Sequence, residues 1–358
     1  MHILKEQIET PALLIDLDLL EENIETMADY MREKRAKLRP HFKTHKCPAI
    51  AHKQIAAGAK GITCAKLGEA EVLAASGIGD VLIANQVVEP TKIGRLVGLA
   101  HSGTTITVAV DNLRNVEDLS RAAARVGSIL YVLVEVDVGM GRCGVHTADE
   151  VLSLANRIQK SKGLSFEGIQ AYEGHLQNIQ DREERSRGVQ KMIDKIAGIK
   201  AHLEMHGVVV KEVSGGGTGT YNMTGDNTPW TEIQAGSYVF MDTLYSRLGH
   251  PFKNSLTILT TVIHKRPGFA VTDAGLKVCT VEHGLPEIKD FPGLKIHRGL
   301  SEEHGIIFDE KDELSYLRKV EYIPSHCCTT VNMHDRYYCV RKGILEALWP
   351  IAGRGKSQ

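Results

Sequence analysis

The sequence has almost no net charge: 43 Lys and Arg stand against 44 Asp and Glu among 358 residues, a formal charge of −1. Such a balance builds no long-range field to draw in nucleic acid or an anionic membrane. Local runs such as Arg32 to Lys37 read as the solvated end of a helix rather than a binding patch. No stretch approaches the roughly 20 apolar residues of a membrane span. The opening segment MHILKEQIETP lacks the apolar core of a signal peptide. The seven cysteines, at 47, 64, 143, 279, 327, 328 and 339, are an odd number with no framework spacing. Without a signal peptide they read as reduced thiols, and the cytoplasm is the expected compartment.

What is present is an ordinary globular composition, with 42% hydrophobic and 24% charged residues. The length allows one large domain or two ordinary ones. Thr10 to Asp18 (TPALLIDLD) alternates apolar and polar residues, which predicts a half-buried strand. A helix follows, with Leu20, Ile24, Met27 and Met31 on one face. Ala36–Lys43 is the next strand-like run. Further strands are predicted at Gly61–Ala65, Val81–Gln86, Thr105–Asp111, Ile129–Val138, Phe166–Tyr172, Val208–Ser214 and Glu232–Tyr238. Helical patterns separate most of them. Regular alternation of this kind means a parallel sheet, and eight repeats suggest a closed (β/α)8 TIM barrel, with an open doubly wound sheet as the alternative. After about residue 250 the segments turn short and β-like. The expected organisation is an α/β barrel over residues 19–250 and a mainly-β domain over 251–358, with residues 1–18 joining the latter.

In a βα barrel the working residues lie where strands end. The first strand ends in His41-Phe42-Lys43-Thr44-His45-Lys46. A Lys desolvated there becomes a nucleophilic amine suited to Schiff-base chemistry, though a surface basic cluster fits the spacing too. The fifth ends in Gly139-Met140-Gly141-Arg142-Cys143-Gly144, where glycines permit a tight turn and Arg142 offers a planar cation. The sixth ends in Tyr172-Glu173-Gly174-His175-Leu176-Gln177-Asn178, dense in polar and ring side chains. The seventh ends in Ser214-Gly215-Gly216-Gly217-Thr218-Gly219-Thr220, and the eighth adds Ala235-Gly236-Ser237-Tyr238. Exposed amides and hydroxyls on the last two strands suit a phosphate, as barrels often arrange it. Late in the chain, His326 and Cys328 alternate in Ser325-His326-Cys327-Cys328. On an extended strand they project to one side and can share a metal; a buried Cys beside a surface His is the other reading. His304 is a further possible wall of that site.

Taken together, these motifs resemble the D-threonine aldolase and D-serine dehydratase family, which belongs to the alanine-racemase-like (fold type III) pyridoxal 5'-phosphate (PLP) enzymes. The resemblance runs through TPALLIDLD, RPHFKTHKCP, VEVDVGMGRCGV, QAYEGH, SGGGTGT, EIQAGSYVFMD, TDAGLK, SEEHGI and PSHCCTTVNMHD, nearly the whole chain. It implies a barrel with a C-terminal β domain and a homodimer acting on a small-molecule β-hydroxy D-amino acid. It implies a Schiff base on Lys43 rather than Lys46, with Arg142 by the pyridine nitrogen. An Arg gives up no proton to that nitrogen, so the ring is expected to be a weaker electron sink. The cofactor site it implies also includes Tyr172, Ser214, Gly216, Gly217, Thr218, Gly236, Ser237 and Tyr238. A divalent metal, zinc or manganese, is implied on His326 and Cys328.

Two reactions diverge within this family. The aldolases cleave Cα–Cβ to glycine and an aldehyde; the dehydratases eliminate the hydroxyl to a 2-oxo acid and ammonia. The chain departs from the aldolase pattern twice. Cys328 stands where aldolases carry Asp and dehydratases carry Cys, and thiolate favours zinc over manganese. Asn178 stands where the aldolases have a His thought to act as base, leaving His175 as the nearby imidazole. The longer flanking motifs read closer to the aldolases. Aldolase is therefore the first expectation and D-serine or D-threo-3-hydroxyaspartate dehydratase the second. A racemase, a non-catalytic PLP-binding protein and a metal-dependent barrel hydrolase without PLP are the remaining alternatives.

Overall fold

The structure, a computed structural model, describes residues 3–226 and 229–358; residues 1–2 and 227–228, which the expected domain bounds include, lie outside the described residues. The chain divides into two compact units. One comprises Met1–Thr26, Thr44–Ala49 and Ser237–Arg354; the other comprises Met27–Lys43, Ile50–Gly236 and Gly355–Gln358. Among the described residues no helix is long and apolar enough to cross a membrane.

The β unit opens with β1 (Ala12–Asp16), which leads directly into α1 (Leu17–Arg32). Residues Ala12 to Ile15 are all buried, so β1 is not the half-buried strand its alternation suggests. The reason is its central place: it pairs antiparallel with a strand on one side and parallel with another on the other. The four apolar residues predicted for one face of α1, Leu20, Ile24, Met27 and Met31, are buried. Burying each is worth about 1.5–3 kcal/mol.

The second unit is the barrel. Its strands are β2 (Lys37–Leu38), β3 (Ile62–Cys64), β4 (Asp80–Gln86), β5 (Thr105–Val110), β6 (Leu130–Glu135), β7 (Leu164–Ala171), β8 (Glu212–Gly215) and β9 (Glu232–Ile233). All pair in parallel, in the order β2-β9-β8-β7-β6-β5-β4-β3. Between them run α2 (Pro48–Ala56), α3 (Leu67–Ala75), α4 (Pro90–His101), α5 (Leu113–Val126), α6 (Ala148–Gln159), α7 (Arg182–Met205) and the single turn α8 (Tyr221–Thr224). Central strands such as β5 and β6 are buried runs of Val, Leu and Ile, as helices on one side and the barrel core on the other require. The sheet closes where β2 meets β3. Lys60 N donates to Leu38 O at 2.9 Å, Thr63 N to Pro40 O at 2.9 Å and Phe42 N to Thr63 O at 2.7 Å.

β2 is two residues long, shorter than the strand predicted over Ala36–Lys43, although Arg39 N and His41 N still donate to Ile233 O and Ala235 O. Past it, His41 makes a single bridge to Thr63, and Lys43 sits in a turn. Beneath the seam, Arg39 is buried. Its Nε donates to Glu232 Oε2 at 2.9 Å and its Nη1 to Asp80 Oδ1 at 2.7 Å, while Lys60 Nζ lies 2.8 Å from Glu232 Oε2. One guanidinium thus ties β2 to β4 and β9.

The remaining strands belong to the β unit: β10 (Leu256–Arg266), β11 (Gly268–Thr272), β12 (Glu287–Ile288), β13 (Lys295–Leu300), β14 (Gly305–Asp309), β15 (Lys319–Ile323), β16 (Arg336–Arg341) and β17 (Ile344–Pro350). With β1 they form one sheet, mainly antiparallel. Two short elements in this unit matter for chemistry: α9 (Thr243–Ser246) and α10 (Cys327–Val331). Three of the strands, β12, β14 and β17, fall outside the β-like segments that the sequence suggests, 255–264, 269–272, 294–299, 319–323 and 337–341. Each gains its partner from far along the chain or from a hairpin, which local propensity does not report.

Burial opposes the charge on Glu232, but Arg39 and Lys60 overcome it and hold the carboxyl below its ordinary range. Replacing Arg39→Met leaves a buried carboxylate with Lys60 alone, which costs about 3 kcal/mol, the low end for a broken buried pair. Urea unfolding measures it. Because the folded pKa of Glu232 is depressed, its contribution is present above the unfolded pKa and lost as pH falls through the folded one. The gap between the unaltered chain and the variant should therefore be largest at neutral pH and shrink on acidification.

Candidate active site

At the C-terminal ends of the barrel strands lies a cavity of about 290 Å³. Its lining includes Lys43, His41 and Lys66, together with Arg142, Tyr172 and Gln170. No Asp or Glu is among the residues that line it. Lys43 Nζ lies 5.5 Å from the centre of the Tyr172 ring. Lys46 is placed otherwise: it is buried, with Nζ 3.4 Å from Gly353 O, in the β unit.

Arg142 is carried by a loop that Asp137 shapes. The Oδ1 atom of Asp137 accepts from the amides of Gly139 (2.9 Å), Met140 (2.8 Å) and Gly141 (3.1 Å). Burial opposes ionisation, but these amides hold the Asp137 carboxyl below its ordinary range. Gly139, Gly141 and Gly144 all have positive φ (119°, 65° and 104°), which explains their residue type. Behind Arg142 stands buried Glu135, 4.0 Å from the guanidinium and receiving Gln86 Nε2 at 2.6 Å. Burial pushes Glu135 up. The side chain of Gln170 is buried, and its Oε1 has no hydrogen-bond partner in the protein. A buried acceptor without a donor is costly.

These observations fit PLP. The cavity offers an amine for its aldehyde, a flanking aromatic ring and cations for its negative charges. The Gly-rich loop after β8 corrects one expectation. Its amides are not exposed: Gly216 N donates to Glu173 Oε2 (3.1 Å), Gly217 N to Thr220 Oγ1 (3.2 Å) and Gly219 N to Gln177 Oε1 (2.8 Å). Ser214 and Thr218 are buried with them, and Ser214 Oγ receives Gln234 Nε2 at 2.9 Å. Gly236 is the last barrel residue before the chain passes to the β unit. Tyr238 is fully buried, its ring 5.5 Å from Phe252, a core side chain. Its apolar body drew it inward, a choice the AGSY pattern does not reveal.

His175 and Asn178 are exposed and do not line the cavity. A Cβ on Gly139 would come within 3.1 Å of His175 Nε2, so the imidazole lies over that loop. His304 is exposed in the turn between β13 and β14.

The β unit holds the metal candidates. His326 caps α10 with extended dihedrals (φ −146°, ψ 129°), and Cys327 and Cys328 are already helical. The alternate-residue strand geometry expected for the pair is therefore absent. A helix start brings them together instead: ligand atoms of His326, Cys327 and Cys328 lie within 4.8 Å of one another. Ser237, expected at the cofactor phosphate, has its Oγ 3.9 Å from Cys328 Sγ, and Thr44 Oγ1 lies 3.4 Å from that sulfur.

A residue that the sequence reading passed over organises this group. Asp242 is fully buried. Its Oδ2 lies 3.0 Å from His326 Nδ1 and accepts from Cys327 N at 3.0 Å, while Oδ1 caps α9 through Tyr245 N at 2.9 Å. The carboxylate fixes the imidazole with Nδ1 as donor and turns Nε2 to the Cys328 side. Burial lowers the pKa of His326, yet Cys328 and Asp242 raise it further, to about 11. An imidazole and a thiol side by side, with a carboxylate behind the ring, are a donor set that suits a thiophilic divalent metal. Asp242 ends the motif EIQAGSYVFMD, but no local spacing links it to a His 84 residues later.

Asp242→Asn should weaken metal affinity by about 10–100-fold, the usual loss for such an orienting carboxylate. Competition titration against a chromogenic chelator measures it, and an unchanged affinity would remove Asp242 from the metal group.

Comparison with known proteins agrees with this geometry. Residues 15–244 match the family model described as alanine racemase, N-terminal domain, and residues 255–340 match a serine dehydratase domain. The chain is 40% identical over 363 residues to the 3-hydroxy-D-aspartate aldolase of Paracoccus denitrificans (strain Pd 1222), covering 98% of this chain and 94% of that protein. It superposes on the crystal structure of D-threonine aldolase from Filomicrobium marinum with a TM-score of 0.96 at 39% identity, covering 99% and 98% of the two chains. The D-threo-3-hydroxyaspartate dehydratase of Delftia sp. (strain HT23) is 28% identical over 350 residues, covering 90% and 92%. With likeness of this breadth, the chain belongs to the alanine-racemase-like family of PLP enzymes, in the branch of lyases that holds the D-threonine aldolases and D-serine dehydratases.

Proposed function

We propose that the chain is a PLP- and divalent-metal-dependent lyase of the D-threonine aldolase type, cleaving a β-hydroxy D-amino acid to glycine and an aldehyde. The observation that carries this reading is the cation-lined cavity with Lys43 beside Tyr172. Near-full-length identity of 40% to an aldolase, against 28% to a dehydratase, supports the branch.

Lys43 would hold PLP, with Arg142 and Tyr172 about its ring; His326 and Cys328 would hold the metal, oriented by Asp242. Bound there, PLP would supply an electron sink and the metal a Lewis acid. The thiolate ligand favours zinc over manganese. Lys66 adds a further positive charge to the lining of the Lys43 cavity. Retro-aldol cleavage needs a group that accepts the hydroxyl proton. Asn178 takes no proton at neutral pH; His175 is the imidazole of that segment, but it lies outside the lining of the Lys43 cavity. The homodimer belongs to the same reading, and light scattering of the purified chain checks it.

The dehydratase remains the second reading, for a specific reason. Cys328 is the ligand type of that branch, and Asn178 lacks the basic nitrogen the aldolases carry there.

Incubation with D-threonine and D-serine, each with zinc and then manganese, should release glycine and an aldehyde. A 2-oxo acid with ammonia would overturn the aldolase reading in favour of the dehydratase. Lys43→Ala should abolish the visible absorbance of the Lys43-linked cofactor; a persistent band sinks that assignment. Cys328→Ala should lower metal content and turnover while PLP stays bound.

A further inference from the structure

The metal group holds one donor that a pair of ligands leaves idle. Ligand atoms of three successive residues, His326, Cys327 and Cys328, lie within 4.8 Å of one another. Donors on one tetrahedral zinc ion, with bonds of about 2.0–2.3 Å, stand roughly 3.3–3.8 Å apart, so the cluster is close to the spread that one ion requires. Cys327 is fully buried, and a buried thiol is often a plain packing group. Its surroundings are not those of packing alone, because its thiol shares hydrogen bonds with the side chains of Cys328 and Ser237. Cys47, Cys279 and Cys339 are buried as well, yet none of them joins such a group among the described residues.

Asp242 fixes two members of the cluster at once. Its Oδ2 receives His326 Nδ1 and the amide of Cys327, each at 3.0 Å. One buried carboxylate therefore orients the imidazole and anchors the backbone that carries the first sulfur. The rest of α10 is tied down too. Thr330 Oγ1 donates to His326 O at 2.9 Å and accepts from Thr280 N at 3.3 Å. The three donors are thus held near one another before an ion arrives, which lowers the ordering cost of binding.

Two protein ligands are few for a catalytic zinc. Such sites take three protein donors and leave the fourth position to water or substrate, and two Cys with one His is an established set. We propose that Cys327 is a third metal ligand, so that His326, Cys327 and Cys328 hold the ion together and leave one position open. Two thiolates rather than one also sharpen the choice of ion, because sulfur selects zinc and disfavours manganese. The inference rests on the metal-dependent reading above and adds a residue to it.

X-ray absorption of the unaltered chain loaded with zinc counts the sulfur neighbours of the ion directly. Two at about 2.3 Å are expected; a single one would overturn the proposal. Cys327→Ser keeps the size and replaces a soft donor with a hard one. In that variant the count should fall to one, and a count still at two would place the second sulfur elsewhere and overturn the proposal as well. Chelator competition should show zinc held about 100-fold more weakly by the variant, with manganese affinity nearly unchanged, since only the soft ion loses a preferred ligand. Equal losses for the two ions would mean a merely structural role and overturn the assignment. The first measurement needs no variant, so it decides the matter if Cys327→Ser fails to fold. An unaltered chain that binds neither ion would instead overturn the metal-dependent reading, and this inference with it.

Discussion

The closure of the barrel at β2 is the constraint on which the cofactor cavity depends. β2 contributes two residues, yet it must pair with β9 on one side and meet β3 on the other. Backbone bonds from residues 37–42 run to both neighbours. Arg39 adds to them, spanning from β2 to β4 and β9 with a charge held entirely by buried or half-buried carboxylates. Four residues later comes Lys43. It sits in the turn that follows the seam and lines the cavity.

Three buried carboxylates then set the working groups, each by a different use of the same chemistry. Glu135 stands behind Arg142. Glu173 gathers donors from the Gly-rich loop. Asp242 fixes the tautomer of His326 and caps α9. A buried carboxylate is costly unless donors surround it, so each one dictates the arrangement of the groups around it. That demand makes the loops at the strand ends definite shapes rather than flexible connections.

Much of this was legible in the sequence. The period of apolar residues located the strands and helices of the barrel, because parallel strands covered on both sides need continuous apolar runs. The glycines of the 139–144 loop announced a tight turn, and the positive φ angles found there are the reason. Lys43 and Lys46 were indistinguishable by spacing. Family resemblance preferred the first, and burial of the second against Gly353 is the corresponding physical difference. The 214–220 loop misled in one respect. Glycine signals close backbone approach, but not to what, and here the approach is largely to Gln177. Likewise His326 and Cys328 are paired by the start of α10, not by strand alternation.

By itself the sequence determined the βα alternation and the late β segments, and it nominated candidate reactive side chains. Those depend on local period and on residue chemistry, which neighbouring positions express. Tertiary structure alone decided which residues serve one another. Asp242 meets His326 and Glu173 meets Thr220 across 84 and 47 residues of chain. Such pairings arise from strand order and burial, where the cost of an unpaired buried group selects partners without regard to distance along the sequence.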